Sequence, residues 1–452
     1  MVGISNSHRP ATTATGRKGI GLWQAVAIGI GGMIGAGIFS VLGIAGQIAG
    51  NVFYAAFGIA GGVALLNTYS YAKLGVRFPS AGGPVEFLVR GFGDGVVSGG
   101  FDILLWVGYV FGLSLYARAF GNYAATFLPV GSAHIWVSVF STGIVVVFTL
   151  VNFVGAQAVG RSEFFIVATK VVILLAFTGL GLTSLRPRML SPSLWPRPGN
   201  LLYGAAIVFL AYEGFGLIVN AAEDMPDPSR TLPRALYLSV IITIGIYVGV
   251  SLAVVGNLPV ADIVRARDYA LAEAARPLLG SLGFKLIAVA ALFSTASAIN
   301  ATLYGGANVC YAVARDGELP VFFERKVWGH GTEGLLITSV LIIAFANLLN
   351  LNGIAMLGSA SFLIIYGAVS AAHLRLRRET GAKAAMIWAA IVGCASSFGV
   401  LVYYELVHEP LTLTILAVVV VVCFGLEYGY RRFTRRSIRL RADGRTPSPD
   451  GR

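Results

Sequence analysis

Long apolar stretches recur along the chain at near-regular intervals. A bilayer core takes about 20 apolar residues as helix. Stretches of that kind lie near residues 22–47, 52–74, 97–127, 134–154, 162–185, 201–222, 235–256, 285–307, 335–350, 353–373, 385–404 and 411–430. The pattern predicts about twelve transmembrane helices. A different rhythm occupies the segment from Pro259 to Gly283, where Ile263, Tyr269, Leu271 and Ala274 alternate with charges near helical spacing. That alternation predicts a surface helix at the membrane interface. Whether it forms a lid over an outer vestibule or a simple connector stays open.

Two of the apolar stretches are interrupted. The first contains "IGIGGMIGAGIF", which carries Gly29, Gly31, Gly32, Gly35 and Gly37, and each interior Gly costs a helix up to ~1 kcal/mol relative to Ala. The glycines match neither the G-x-G-x-x-G dinucleotide fingerprint nor the Walker loop, which needs a Lys. Gly31 and Gly35 form G-x-x-x-G, which permits close helix packing. Gly35, Ala36 and Gly37 together read instead as a local break. Bare backbone is tolerated at membrane depth only where it lines a cavity or is buried in protein. Such a break frees N–H groups at one half-helix and C=O groups at the other, which suits a carboxylate and an ammonium respectively. The sixth stretch, "GAAIVFLAYEGFGLIVNAAEDMP", is interrupted around Glu213–Gly214, five spans after the first. Corresponding broken helices in two halves point to a transporter built from inverted repeats, with its substrate near the midplane.

Composition agrees. Of 452 residues, 56% are hydrophobic and 12% charged, whereas a soluble domain is about a quarter charged. A soluble globular protein is excluded. The N-terminal stretch Met1 to Lys18 is polar and reads as no secretory signal peptide. Much of the net charge of +12 lies in the tail "RRFTRRSIRLRADGRTPSPDGR", which is read as cytoplasmic and touching anionic lipid rather than nucleic acid. The segments assigned to the inside hold Lys73, Arg77, Arg161, Arg325, Lys326, Arg375, Arg377, Arg378 and the tail. The outer loops hold Arg186, Arg188, Arg197, Arg265, Arg267, Arg276 and Lys285. This bias places both termini in the cytoplasm, in a plasma (inner) membrane protein. Cys310, Cys394 and Cys423 fall in apolar segments and read as small buried hydrophobes. His8, His134, His330, His373 and His408 lie apart, without metal-ligand spacing. Neither a metal, a cofactor nor a hydrolase constellation is expected.

Lys170, Glu213 and Arg118 lie inside spans and call for an account. Lys170 sits mid-way along "FFIVATKVVILLAF", with no acid within a helical turn. It is too far from the span's end for snorkelling to explain it well, and burial disfavours the charged form of an amine. Glu213 has two open readings. One is a partner for a cationic group or for a proton shared with Lys170; the other is a cap on the break or a carboxylate in a watery vestibule. Arg118, in "LYARAFGNY", reads as snorkelling outward or supporting packing.

The motifs "IGAGIF", "AKLGVRFPSAGGPVEF" and "FLAYEGFGLIVNAAEDMPDPSRTLPRAL" resemble signatures of the amino acid–polyamine–organocation (APC) superfamily. "VGRSEFFIVATKVVIL" and "NATLYGGANVCYAVARDGELPVFFERKVW" resemble most closely the ApcT-type proton-coupled amino acid transporters. The resemblance runs over nearly all the spans. It implies an all-α membrane protein with a LeuT-type five-plus-five inverted repeat, discontinuous first and sixth helices and two further helices. The implied divisions are a cytoplasmic tail (1–20), repeat one (21–185), repeat two (200–375), the last two spans (385–430) and a basic tail (431–452).

By the same resemblance, the substrate backbone sits on Met33, Ile34, Gly35, Ala36 and Gly37, with Leu210, Ala211 and Glu213 opposite. Ala36 stands where the family usually has a hydroxyl. Lys170 takes the place of the sodium ion of related transporters and couples the proton, with Ser294, Thr295 and Ser297 as candidates to face it. The implied function is proton-coupled amino acid uptake by alternating access. Amino acid/amine exchange and non-transporting amino acid sensing are the alternatives.

Overall fold

The computed structural model describes residues 19–35, 37–80, 82–129, 133–154, 159–315, 326–328 and 331–434. Of the expected tails at 1–20 and 431–452, residues 1–18 and 435–452 lie outside the described residues, as does Ala36. Almost all of the rest is helix: α1 Leu22–Met33, α2 Gly37–Ala49, α3 Phe53–Arg77, α4 Pro84–Phe92, α5 Val96–Ala125, α6 Ala133–Val154, α7 Val159–Thr183, α8 Pro198–Val208 and α9 Leu217–Asn220. The series continues with α10 Pro228–Asn257, α11 Val260–Arg265, α12 Ala270–Ala274, α13 Arg276–Arg315, α14 Glu333–Leu348, α15 Leu351–Thr380, α16 Ala384–His408 and α17 Pro410–Thr434.

Among the described residues, ten helical runs are long and apolar enough to cross a membrane. One of them, Gly37–Arg77, spans 41 residues, about twice what a bilayer needs. It is interrupted at Gly50, whose φ of 52° is left-handed and suits a residue without Cβ. Two shorter apolar helices, Leu22–Met33 and Glu333–Leu348, add to these runs. The chain is a multi-pass integral membrane protein.

Helix α5 is the central post, packed against α6, α13, α14, α15 and α17. Helix α10 packs on α1, α3 and α7. By contrast α16 and α17 are mostly uncovered, with Val392, Tyr403, Leu411 and Val421 exposed. Apolar surface of that kind is what lipid contacts. Arg431 reaches Asp94 at 2.6 Å and also bonds Glu427, which ties α17 to the start of α5.

The structure differs from the expected pattern, or adds to it, in three places. The segment after α10 is not one interfacial helix. It folds as α11, a 3-10 turn at Arg267–Tyr269, and α12. Ile263, Leu271 and Ala274 are fully buried, and the segment packs on α2; its apolar face meets protein rather than lipid. Helix α4 was not expected at all. Pro84 at its first turn, the Glu86–Arg90 pair at 2.5 Å and the buried Val85, Leu88 and Val89 account for it. Finally, β1 Lys326–Trp328 and β2 Gly331–Thr332 form a short antiparallel ribbon within an otherwise all-α chain.

Both interrupted stretches are discontinuous. Helix α1 ends at Met33 and α2 begins at Gly37. Between α8 and α9 the chain winds as a 3-10 helix over Phe209–Gly216. The two breaks touch through backbone. A Cβ placed on Gly32 would lie 3.1 Å from the Gly214 Cα and carbonyl oxygen, and a Cβ on Gly214 would strike Gly32 and Met33. Gly214→Ala is therefore expected to destabilise the fold by about 1–3 kcal/mol through overpacking. A lowered unfolding midpoint in detergent checks this; an unchanged midpoint would show that the breaks can separate freely.

Candidate functional site

A helix end leaves its last carbonyls without intrahelical donors, and α1 ends in the middle of the protein. Its carbonyls are met from several directions. The Ile30 carbonyl accepts from the Ile34 N–H at 2.8 Å. Gly31 O accepts from Lys170 Nζ on α7 at 3.1 Å. Met33 O accepts from Tyr247 Oη on α10 at 2.5 Å. Ser294 Oγ on α13 reaches Ile34 O at 2.9 Å and Gly35 O at 2.5 Å. Side chains from α7, α10 and α13 thus converge on one broken helix terminus.

The second break faces the first. Tyr247 Oη also lies 3.1 Å from Ala211 O. Tyr366 Oη donates to Glu213 O at 2.7 Å, and Tyr116 Oη to Glu213 Oε1 at 2.8 Å. Glu213 is only 3% exposed. Its Oε2 is buried without a hydrogen-bond partner among the described residues. Aromatic rings close around this region: Phe209, Phe215 and Phe362 lie within 6 Å of the Tyr366 ring.

The expected site residues divide as follows. Met33, Ile34 and Gly35 form the α1 end of the break. Gly37 is already the first residue of α2, where a Cβ would sit 2.9 Å from Ala211 Cα. Ala211 lies at the contact between the breaks, while Leu210 packs on Gly358 of α15. Lys170, 3% exposed, reaches the α1 terminus. Glu213 and Lys170 are bonded to different groups, Tyr116 and Gly31. Of the α13 hydroxyls, Ser294 reaches the break, whereas Thr295 bonds Ala291 O and Leu292 O of its own helix. Ser297 is buried on the same helix. Arg118 supports packing, with Nη1 donating to Ala346 O of α14 at 3.2 Å.

The tyrosines Tyr116, Tyr247 and Tyr366 were missed. In the sequence they stand in "LSLYARA", "IGIYVGV" and "LIIYGAV", where an aromatic inside an apolar run reads as core. Cys394 and Cys423 are buried free thiols, as their apolar settings imply. Among the described residues no cluster of His, Cys, Asp or Glu is placed to hold a metal.

An amino acid permease family model matches residues 20–426. The chain belongs to this family. It is accordingly a transporter rather than an enzyme. The permease is 42% identical over 424 residues to the uncharacterized protein MJ0609 of Methanocaldococcus jannaschii, covering 93% of this chain and 97% of that one. It is 39% identical over 370 residues to the inner membrane transport protein YbaT of Escherichia coli, covering 81% and 86%. To the chloroplastic cationic amino acid transporter 9 of Arabidopsis thaliana it is 29% identical over 329 residues, covering 68% and 57%.

The α13 hydroxyls make a direct comparison possible. Ser294→Ala removes a donor to two break carbonyls and is expected to lower stability by about 0.5–1.5 kcal/mol and to reduce amino acid uptake. Thr295→Val, which removes only bonds within α13, is expected to leave uptake near wild type. Uptake by purified variants in liposomes checks the contrast, and equal effects of the two substitutions would contradict it.

Proposed function

We propose that this permease takes up amino acids with protons by alternating access, and that Lys170 couples the two. The observation that carries the proposal is the Lys170 ammonium position seated on Gly31 O, at the C-terminal end of a half-helix deep in the fold. That end carries negative partial charge. A protonated amine there makes a charge-assisted hydrogen bond, roughly twice as strong as a neutral one. Losing the proton weakens the tie between α7 and the end of α1, and so frees α1 to shift against α7.

The substrate's ammonium and carboxylate are assigned to the break, on Met33, Ile34, Gly35, Ala36 and Gly37, with Leu210, Ala211 and Glu213 opposite. The two breaks in backbone contact support this assignment, because free carbonyls and N–H groups there suit a zwitterion. In this reading residues 21–185 and 200–375 are the two inverted repeats of a LeuT-type fold, followed by two further helices. Both termini face the cytoplasm of a plasma membrane protein, and the basic tail meets anionic lipid.

Amino acid/amine exchange is the second reading. The open, buried Oε2 of Glu213 favours it, because a carboxylate oxygen in that position accepts from a cationic side chain. The name of the Arabidopsis relative accords with a cationic substrate.

Uptake into liposomes under an inward proton gradient separates the readings. The proposal expects the gradient to stimulate wild-type uptake, and Lys170→Ala to lose that stimulation by about tenfold or more, as loss of one charge-assisted bond implies. Equal gradient-driven uptake by the variant would overturn the role of Lys170. Uptake that ignores the gradient but requires amino acid or amine inside the liposome would establish exchange instead.

A further inference from the structure

We infer that Tyr247 is a positioning residue of the amino acid site, holding the two helix breaks in register through one shared hydroxyl. The inference rests on the site proposed above. Tyr247 lies on α10, outside both broken helices, and is fully buried. Its ring is wedged edge-on between Phe57, at 5.4 Å between centroids, and Tyr212, at 5.1 Å. Those contacts fix where the hydroxyl points. It points between the two breaks: Met33 O at 2.5 Å on one side and Ala211 O at 3.1 Å on the other. Gly37 leaves the space, since a Cβ there would come within 2.7 Å of the Tyr247 oxygen.

The chemistry of a phenol makes this arrangement specific. A tyrosine hydroxyl carries one proton, so it donates to one of the two carbonyls at a time. The shorter contact assigns the proton to Met33 O. A small slide of one break past the other transfers the bond to Ala211 O. Both carbonyls belong to the set proposed to bind the substrate ammonium. The hydroxyl therefore sets how far apart these acceptors stand, and which of them is already engaged when the ammonium arrives. A phenylalanine fills the same volume and keeps both ring contacts, so packing alone does not call for the hydroxyl.

The test is Tyr247→Phe, compared with Tyr123→Phe. Tyr123 is a matched control: it is fully buried, and its hydroxyl donates to the Phe39 carbonyl within continuous helix α2 at 3.2 Å. Initial rates of amino acid uptake into liposomes are measured across substrate concentration and across pH, with the substrate first chosen by a competition panel on the wild type. Tyr247→Phe is expected to raise KM about tenfold, as the loss of one buried hydrogen bond implies. Vmax should stay within about twofold and the shape of the pH profile should be unchanged. Tyr123→Phe should keep KM within about twofold. A merely structural hydroxyl would lower the unfolding midpoint and Vmax while leaving KM alone. Wild-type KM in Tyr247→Phe, or the same KM change in both variants, would overturn the inference. A wild type that takes up no amino acid from the panel would overturn the site itself, and this inference with it.

Discussion

A carbonyl oxygen at membrane depth needs a donor, because no bulk water is there to supply one. Ending a helix in the middle of the protein exposes several such oxygens at once, and much of this architecture answers that single demand. The end of α1 is met by Lys170 from α7, Tyr247 from α10 and Ser294 from α13. The carbonyl of Glu213 in the facing break is met by Tyr366 from α15. Helices that look independent in the sequence are therefore committed to one another through the backbone of the broken segments. The glycines serve the same end: Gly32 and Gly214 let the two breaks touch without intervening side chains.

The same geometry leads from stability to function. Carbonyls satisfied by side chains of other helices are held by bonds that can be exchanged, unlike those inside a continuous helix. One of these donors, Lys170, carries a titratable amine, and two, Tyr247 and Ser294, each have two acceptors within reach of a single proton. In the proposed cycle the amino acid's ammonium joins this set of donors when it binds. Its arrival and the protonation of Lys170 then bear on the same short stretch of backbone, which is the physical content of coupling: two events bias one element.

The apolar periodicity carried the helical course of the chain, and the glycine clusters carried both breaks, because bilayer length and backbone freedom are local properties. Lys170 was legible for a related reason: a lone charge in an apolar run stands out wherever it points. The tyrosines were not legible. Tyr116, Tyr247 and Tyr366 differ from core aromatics only by a hydroxyl whose partners are 97, 214 and 153 positions away in the chain. The segment from Pro259 failed differently. Its alternating pattern correctly marks an apolar face on Ile263 and Leu271, but a pattern cannot distinguish lipid from the flank of α2 as the surface that covers it. Between Ser294 and Thr295, spacing alone could not tell which hydroxyl reaches the break and which bonds its own helix, since that depends on how α13 is rotated against α1.

The central claim is that amino acid and proton cross together because both act on the break in α1. Its most direct test is the movement of protons itself. Wild-type protein is reconstituted in weakly buffered liposomes with no imposed gradient, amino acid is added outside, and the external pH is followed. The account predicts that the external medium becomes alkaline on addition of substrate, in step with uptake. Amino acid entry with no accompanying change in external pH would contradict it.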